Sequence, residues 1–271
     1  MKNLLKFSAL ALLTIAILSC SGNSGSRKEF EVIAFKYLNV KITANIDPND
    51  AESPKCSFDM QMQYPYANDS AAKKISHALA DRIYYVMGGL TLPQAVDSAA
   101  KKFVADYQEV YGKFYKESAK TDDIKKQYEF YFNCKSEIEN GLYNIVVYKI
   151  NQEFYEGGAH PMNMQLIMNF NSETGDKITL SDVFAPGYQQ KLNEILLNAL
   201  LKARNAKNVK ELNAEGFLVN SDMFATENFI LGKEKIIFIY NPYEIAPYSK
   251  GKTVLEISYD DVKDILNTAW K

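Results

Sequence analysis

The stretch FYEGGAHP, Phe154 to Pro161, sets one of only two histidines in the chain behind two glycines and an alanine. Glycines let backbone approach a ligand closely, and exposed N–H groups there can hold an anion or a carbonyl. His160 could then act as a base or a hydrogen-bond partner. Nucleophilic hydrolysis would also need a serine beside that base and a carboxylate to orient it. No Gly-x-Ser-x-Gly elbow is present. A zinc site would use more His or Cys than the chain offers, because His77 sits in a distant helical pattern. Carboxylate pairs for glycoside cleavage are not singled out by any spacing. No catalytic set, metal site or cofactor is therefore assigned. Beside the pocket-floor reading stands an architectural one, and the turn is read as architecture first. Gly157 and Gly158 would take positive φ beneath the later NPYEIAP segment. His160 would donate to a backbone carbonyl, and Pro161 would fix the exit.

A second candidate is NPYEIAPY, Asn241 to Tyr248. Two prolines stiffen this excursion between strands, and rigidly held Tyr makes contact area at low entropic cost. Tyr243, Glu244 and Tyr248 are the first candidates for ligand contact, with His160 joined to them.

Alternating runs predict strands over Glu29–Asn45 and Cys56–Tyr66, the second ended by Pro65. Ala72, Ile75, Leu79, Ile83 and Val86 recur at helical spacing after caps at Asn68–Ser70, and Gly88 and Gly89 stop that helix. Thr91 caps a second helix, with Pro93 in its first turn, running to about Ser118. Strands return from Gln127, with Asn140-Gly141 as a hairpin signal. After Pro161 come a strand, the turn Ser172–Lys177 and a short strand, then a helix Tyr188–Asn205 with Leu192, Ile195, Leu196, Ala199 and Leu200 on one face. A hairpin about Gly232, a final strand and a C-terminal helix Asp260–Trp270 complete the chain. This order predicts an α+β fold, mainly antiparallel sheets with helices packed on them in two intimately associated subdomains.

The first residues bear on location. Lys2 and Lys6 precede an apolar run, Phe7–Leu18, that ends in ILSC. This reads as an export signal over 1–19 with a lipobox, so Cys20 is expected to be lipidated and to become the mature N-terminus. Residues 20–28 then form a flexible Gly/Ser tether. Ser21 rather than Asp follows the lipidated Cys, which predicts an outer-membrane anchor facing the periplasm. Loss of the two leader lysines takes the formal charge from −2 to −4, which gives no electrostatic reason to bind nucleic acid. In an oxidising compartment Cys56 and Cys134 are expected to pair as a disulfide.

Three segments carry a resemblance: YEGGAHP, NFNSETGDKITLSDVF and YNPYEIAPYSKG. Together they resemble the RsiV-like extracytoplasmic domain of unknown function (DUF3298 type). The likeness runs from about Asn151 to Val262. Gly157, Gly158, Ala159 and His160 match its Gly-Gly-Ala-His turn. Thr174, Gly175, Leu180, Asp182 and Phe184 match its turn-and-strand motif, and Asn241, Pro242, Tyr243, Ile245, Ala246 and Pro247 match its late loop. The preceding half, 29–150, is similar to a PdaC-like companion region, and 151–271 would be the RsiV-like subdomain. The resemblance implies an extracytoplasmic module. Relatives of this type occur in anti-sigma factors, one of which binds lysozyme, and beside cell-wall deacetylase domains. Expected here is the module alone, lipid-anchored, binding a cell-wall glycan or a lysozyme-like protein. Hydrolysis or deacetylation of envelope polysaccharide is the alternative.

Overall fold

The computed structural model describes residues 33–65, 69–82 and 89–270. The export signal, Cys20, the tether, residues 29–32, Tyr66, Asn68, Ile83, Val86 and Gly88 lie outside these residues. Among the described residues no helix is long and apolar enough to cross a membrane.

The fold is α+β, as its sequence order predicts. One sheet has six strands in sequence order: β1 (Phe35–Asn45), β2 (Lys55–Pro65), β3 (Tyr131–Asn140), β4 (Ile145–Tyr155), β5 (Met162–Asn171) and β6 (Lys177–Ile178). A second has three, β7 (Phe229–Leu231), β8 (Lys235–Tyr240) and β9 (Thr253–Ser258), all antiparallel. The helices are α1 (Ser70–Ala80), α2 (Leu92–Asp106), α3 (Gly112–Glu117), α4 (Asp122–Gln127), α5 (Leu180–Val183), α6 (Gln189–Ala203), α7 (Val209–Ala214) and α8 (Tyr259–Val262). The chain divides into two compact units whose segments interleave. The first takes the chain through Ser136, then Gln152–Met162 and Ser172–Asp176. The second takes Glu137–Asn151, Asn163–Asn171 and everything from Lys177.

In the first unit β1 and β2 pair antiparallel along their whole length, whereas β2 and β3 run parallel. That crossover is carried by α1 through α4. Period-two alternation on β2 buries Cys56, Phe58, Met60 and Met62. The helical spacing of Ile75 and Leu79, and of Leu92, Val96, Ala99 and Phe103, makes the buried faces of α1 and α2. Each fully buried Leu or Ile there is worth about 1.5–3 kcal/mol. The Thr91 N–H and hydroxyl both reach the Gln94 side chain, at 3.0 and 2.8 Å, so α2 starts where its sequence indicates. It does not run unbroken to Ser118. Tyr107–Tyr111 form a π-helical turn before α3. There the Tyr107 hydroxyl donates to the Tyr128 carbonyl at 2.7 Å and the Gln108 amide to the Asn45 carbonyl at 2.8 Å.

In the second unit α6 buries Leu192, Leu196 and Leu200 in a core shared with Phe229, Phe238, Leu255 and Ile257. Three elements depart from expectation. The β3–β4 turn spans Gly141–Asn144 with Tyr143 at φ 50°, rather than a two-residue Asn-Gly turn. The segment after β6 is the helical turn α5, because Thr179 and Asp182 close a capping box over it. The C-terminal helix stops at Val262. Beyond it the Asn267 amide and the Trp270 indole donate to the Asp182 carbonyl at 3.1 and 2.9 Å, and the α-helix gives way to an irregular path that ends in a 3₁₀ turn, Thr268–Trp270.

Cys56 and Cys134 are both free and buried, so the expected disulfide is corrected. Cys134 stands opposite Met60 in the parallel register, four residues on from Cys56. That offset is about 13 Å along the strand. A bridge needs Cα atoms roughly 4.4–6.8 Å apart. Burial pushes the thiols up to about 11 for Cys56 and about 12 for Cys134, whose shift a hydrogen bond with Gln152 opposes. Iodoacetamide labelling with peptide mapping should leave both unmodified in the folded chain and modify both after unfolding without reductant. Protection that survives unfolding would show a disulfide instead.

Candidate functional site

The Gly-Gly-Ala-His turn leaves the end of β4 with Gly157 at φ +87° and Gly158 at φ +100°, a region only glycine adopts cheaply. The Tyr155 hydroxyl closes the turn by donating to the Gly158 carbonyl at 3.0 Å. His160 Nδ1 donates to the Pro161 carbonyl at 3.0 Å. In a neutral ring this makes Nε2 the acceptor nitrogen. His77 is exposed on α1, and His160 is half-buried.

His160 lines a cavity of about 860 Å³ within the first unit. Its walls are the β1–β2 loop with the start of β2, the end of α4 with the residues after it, and the Gly-Gly-Ala-His turn. The first wall is stiff. Asn45 Nδ2 donates to the carbonyls of Asp50, Ala51 and Ser53, each at 3.1 Å, and Ile46 N–H reaches the Pro54 carbonyl at 2.8 Å. Behind the second wall Phe130 packs its ring against Tyr107, Tyr111, Tyr128 and Tyr155 at centroid distances of 4.7 to 6.4 Å. Among the described residues, no three His, Cys, Asp or Glu side chains gather as a metal-binding group.

The late loop belongs to the second unit. The Asn241 N–H donates to Glu244 Oε2 at 2.7 Å, and the Glu244 N–H returns to the Asn241 carbonyl at 3.1 Å. The Tyr243 N–H reaches the Ala246 carbonyl at 2.9 Å. Partial desolvation raises the Glu244 carboxyl above the usual carboxylate range, and the Asn241 hydrogen bonds oppose that shift. These bonds hold Tyr243 at φ +73°, an outlier for a bulky residue, with the residue 59% exposed. Its ring lies 5.9 Å from that of Tyr248, tilted by 33°. The structure thus brings Tyr243 and Tyr248 together, with Glu244 bracing the loop rather than extending the ring pair. His160 is part of the other unit.

Asn241 of this loop works with two asparagines that the sequence reading does not single out, Asn228 and Asn169. Asn241 accepts from the Gln165 N–H at 2.8 Å and donates to the Gln165 carbonyl at 3.1 Å. Asn228 accepts from the Ile167 N–H at 2.7 Å and donates to the Gln165 and Ile239 carbonyls, both at 2.9 Å. Asn169 donates to the Phe229 carbonyl at 2.8 Å and accepts from the Leu231 N–H at 3.0 Å. Side-chain amides thus bridge β5 to β7, β8 and the loop where no strand pairing exists.

Residues 181–260 match the model of a family described as proteins of unknown function, DUF3298. The chain carries a DUF3298 domain. A DUF3298-family protein from Bacteroides fragilis NCTC 9343 is similar at 26% identity with a TM-score of 0.78, over 89% of this chain and 96% of that one. One from Pseudomonas aeruginosa PAO1 shares the fold at 15% identity with a TM-score of 0.61, over 86% and 95%. No curated protein matches the sequence. The DUF3298 match includes Asn241–Tyr248, whereas residues 51–163, which contain the Gly-Gly-Ala-His turn and its cavity walls from Ala51 onward, match the model named Deacetylase PdaC.

Proposed function

We propose that the chain is an exported lipoprotein, anchored through Cys20 in the outer membrane facing the periplasm, whose DUF3298 domain is a non-catalytic binding module for a cell-wall glycan. The Lys2-to-Cys20 signal supports the location. One observation carries the binding reading: two adjacent tyrosines on a braced loop, one of them exposed in a strained backbone conformation. A bulky residue at positive φ costs about 1–3 kcal/mol, a cost tolerated most often where the residue is used. Amphipathic tyrosine rings suit the apolar face of a sugar, with the hydroxyls left to hydrogen-bond. The same surface would suit a protein partner such as a lysozyme.

Sedimentation of the purified full chain with insoluble peptidoglycan, and pull-down with lysozyme, separate these partners. Tyr243→Ala or Tyr248→Ala should abolish binding. Tyr243→Gly should also abolish it while raising stability by roughly 0.5–1 kcal/mol, because glycine relieves the strain. Binding that survives all three substitutions would refute the loop's role.

The match of residues 51–163 to Deacetylase PdaC favours a second reading, hydrolysis of acyl groups on envelope polysaccharide. Acetate release from acetylated chitooligosaccharide, lost in His160→Ala, would establish that activity. No release alongside retained glycan binding would leave the binding reading in place.

A further inference from the structure

The first-unit cavity carries a charge pattern that neither tyrosine of the late loop explains. Lys55 lines it at the start of β2, and Lys125 and Lys126 line it from the last turn of α4. None of the three forms an ion pair among the described residues, whereas Lys41, Lys74, Lys101 and Lys102 of the same unit each hold an aspartate. Three lysines on two separate elements therefore line one concavity, none of them held in an ion pair among the described residues. Glu52 and Glu129 also line it, along with Ser57, Tyr131 and Tyr155. A volume of about 860 Å³ falls within the range of small-molecule sites.

We infer that this cavity binds an acidic saccharide, a sugar segment bearing a carboxylate or phosphate. The lysines hold the anionic group. The carboxylates of Glu52 and Glu129 accept hydrogen bonds from sugar hydroxyls, and the Tyr155 ring offers a face to the sugar. A simple anion would use the lysines but not the two glutamates, and a neutral sugar would leave the lysines unused. The rigid β1–β2 loop and the Phe130 aromatic cluster keep the walls in place before ligand arrives. The site shares no residue with the Tyr243 loop, so failure of either leaves the other standing.

Calorimetric titration of the purified full chain tests this with three probes: galacturonate trimer, glucosamine 6-phosphate and neutral chitotriose. At least one anionic probe should bind, and the two together show whether carboxylate or phosphate is preferred. Its affinity should fall about tenfold or more in Lys125→Gln/Lys126→Gln, since losing two close charge contacts removes at least one decade. It should also collapse in about 1 M salt, where the screening length is only about 3 Å. Lys55→Gln, on a different element, repeats the test if the double variant melts early. The inference is overturned if neither anion binds at millimolar concentration, if chitotriose binds as tightly as the anions, or if the lysine variants keep the parent's melting temperature and affinity.

Discussion

Gly175→Ala should lower stability by about 4 kcal/mol, roughly 1–2 from forcing a left-handed conformation and ~1–3 from overpacking. Gly175 lies at φ +72°, and an added Cβ would sit 2.3 Å from the Ala71 carbonyl oxygen and 2.5 Å from the Ala71 Cα. Both neighbours are backbone at the start of α1, so neither can swing aside as a side chain could. The turn is also tied there by Lys74 Nζ to Asp176 at 2.6 Å, an exposed pair that adds little by itself. The Lys74 contacts and the Thr174 hydroxyl lower the Asp176 carboxyl below its ordinary value. Gly158→Ala separates the two contributions. Gly158 has φ +100° but open space where a Cβ would project, so only the conformational cost of about 1–2 kcal/mol applies. Thermal melting of the two variants side by side reads the difference. Equal losses would mean that the turn moves off α1 without penalty.

Asn169→Ala should cost about 3 kcal/mol. Asn169 is 1% exposed, and its amide satisfies the Phe229 carbonyl and the Leu231 N–H together. Truncation leaves both backbone groups buried and unpaired, at about 1–3 kcal/mol each before any relaxation. Asn169→Asp keeps the acceptor for Leu231 but turns a second oxygen toward the Phe229 carbonyl, so the isosteric change should not rescue the loss. Urea denaturation followed in both variants decides the matter. A loss under about 1 kcal/mol in Asn169→Ala would show that water replaces the amide.

What could be read from the sequence was local. The face of α6, the start of α2 at Thr91 and Pro93, and the alternation of β1 and β2 depend on neighbours within a turn or a strand. The late loop was legible for the same reason, since Asn241 and Glu244 satisfy each other three residues apart. The thiol pairing failed because it rests on the register of β2 against β3, a parallel contact whose partners are joined by the whole helical crossover. The C-terminal helix was overestimated because its periodicity continues while its side chains bond to Asp182, far back in the chain. The cavity beside His160 was only partly visible. Its glycines and histidine draw attention in any reading, but the lysine pair of DDIKKQ looks like an ordinary solvated helix end. Nothing in that hexapeptide indicates that the β1–β2 loop lies opposite.

The interleaving of the two units has a consequence for the order in which the molecule can be made. A chain emerging from its N-terminus has most of the first unit by Ser136, yet lacks the strand end and turn of Gln152–Met162 and the Gly175 anchor. What comes out in between, Glu137–Asn151, belongs to the second unit and waits for partners not yet synthesised. Neither unit can close on its own portion of a growing polypeptide. A nascent chain paused between Asn151 and Asp176 would expose unfinished edges of both; the first can close once Asp176 has emerged, the second only as Lys177–Lys271 follows.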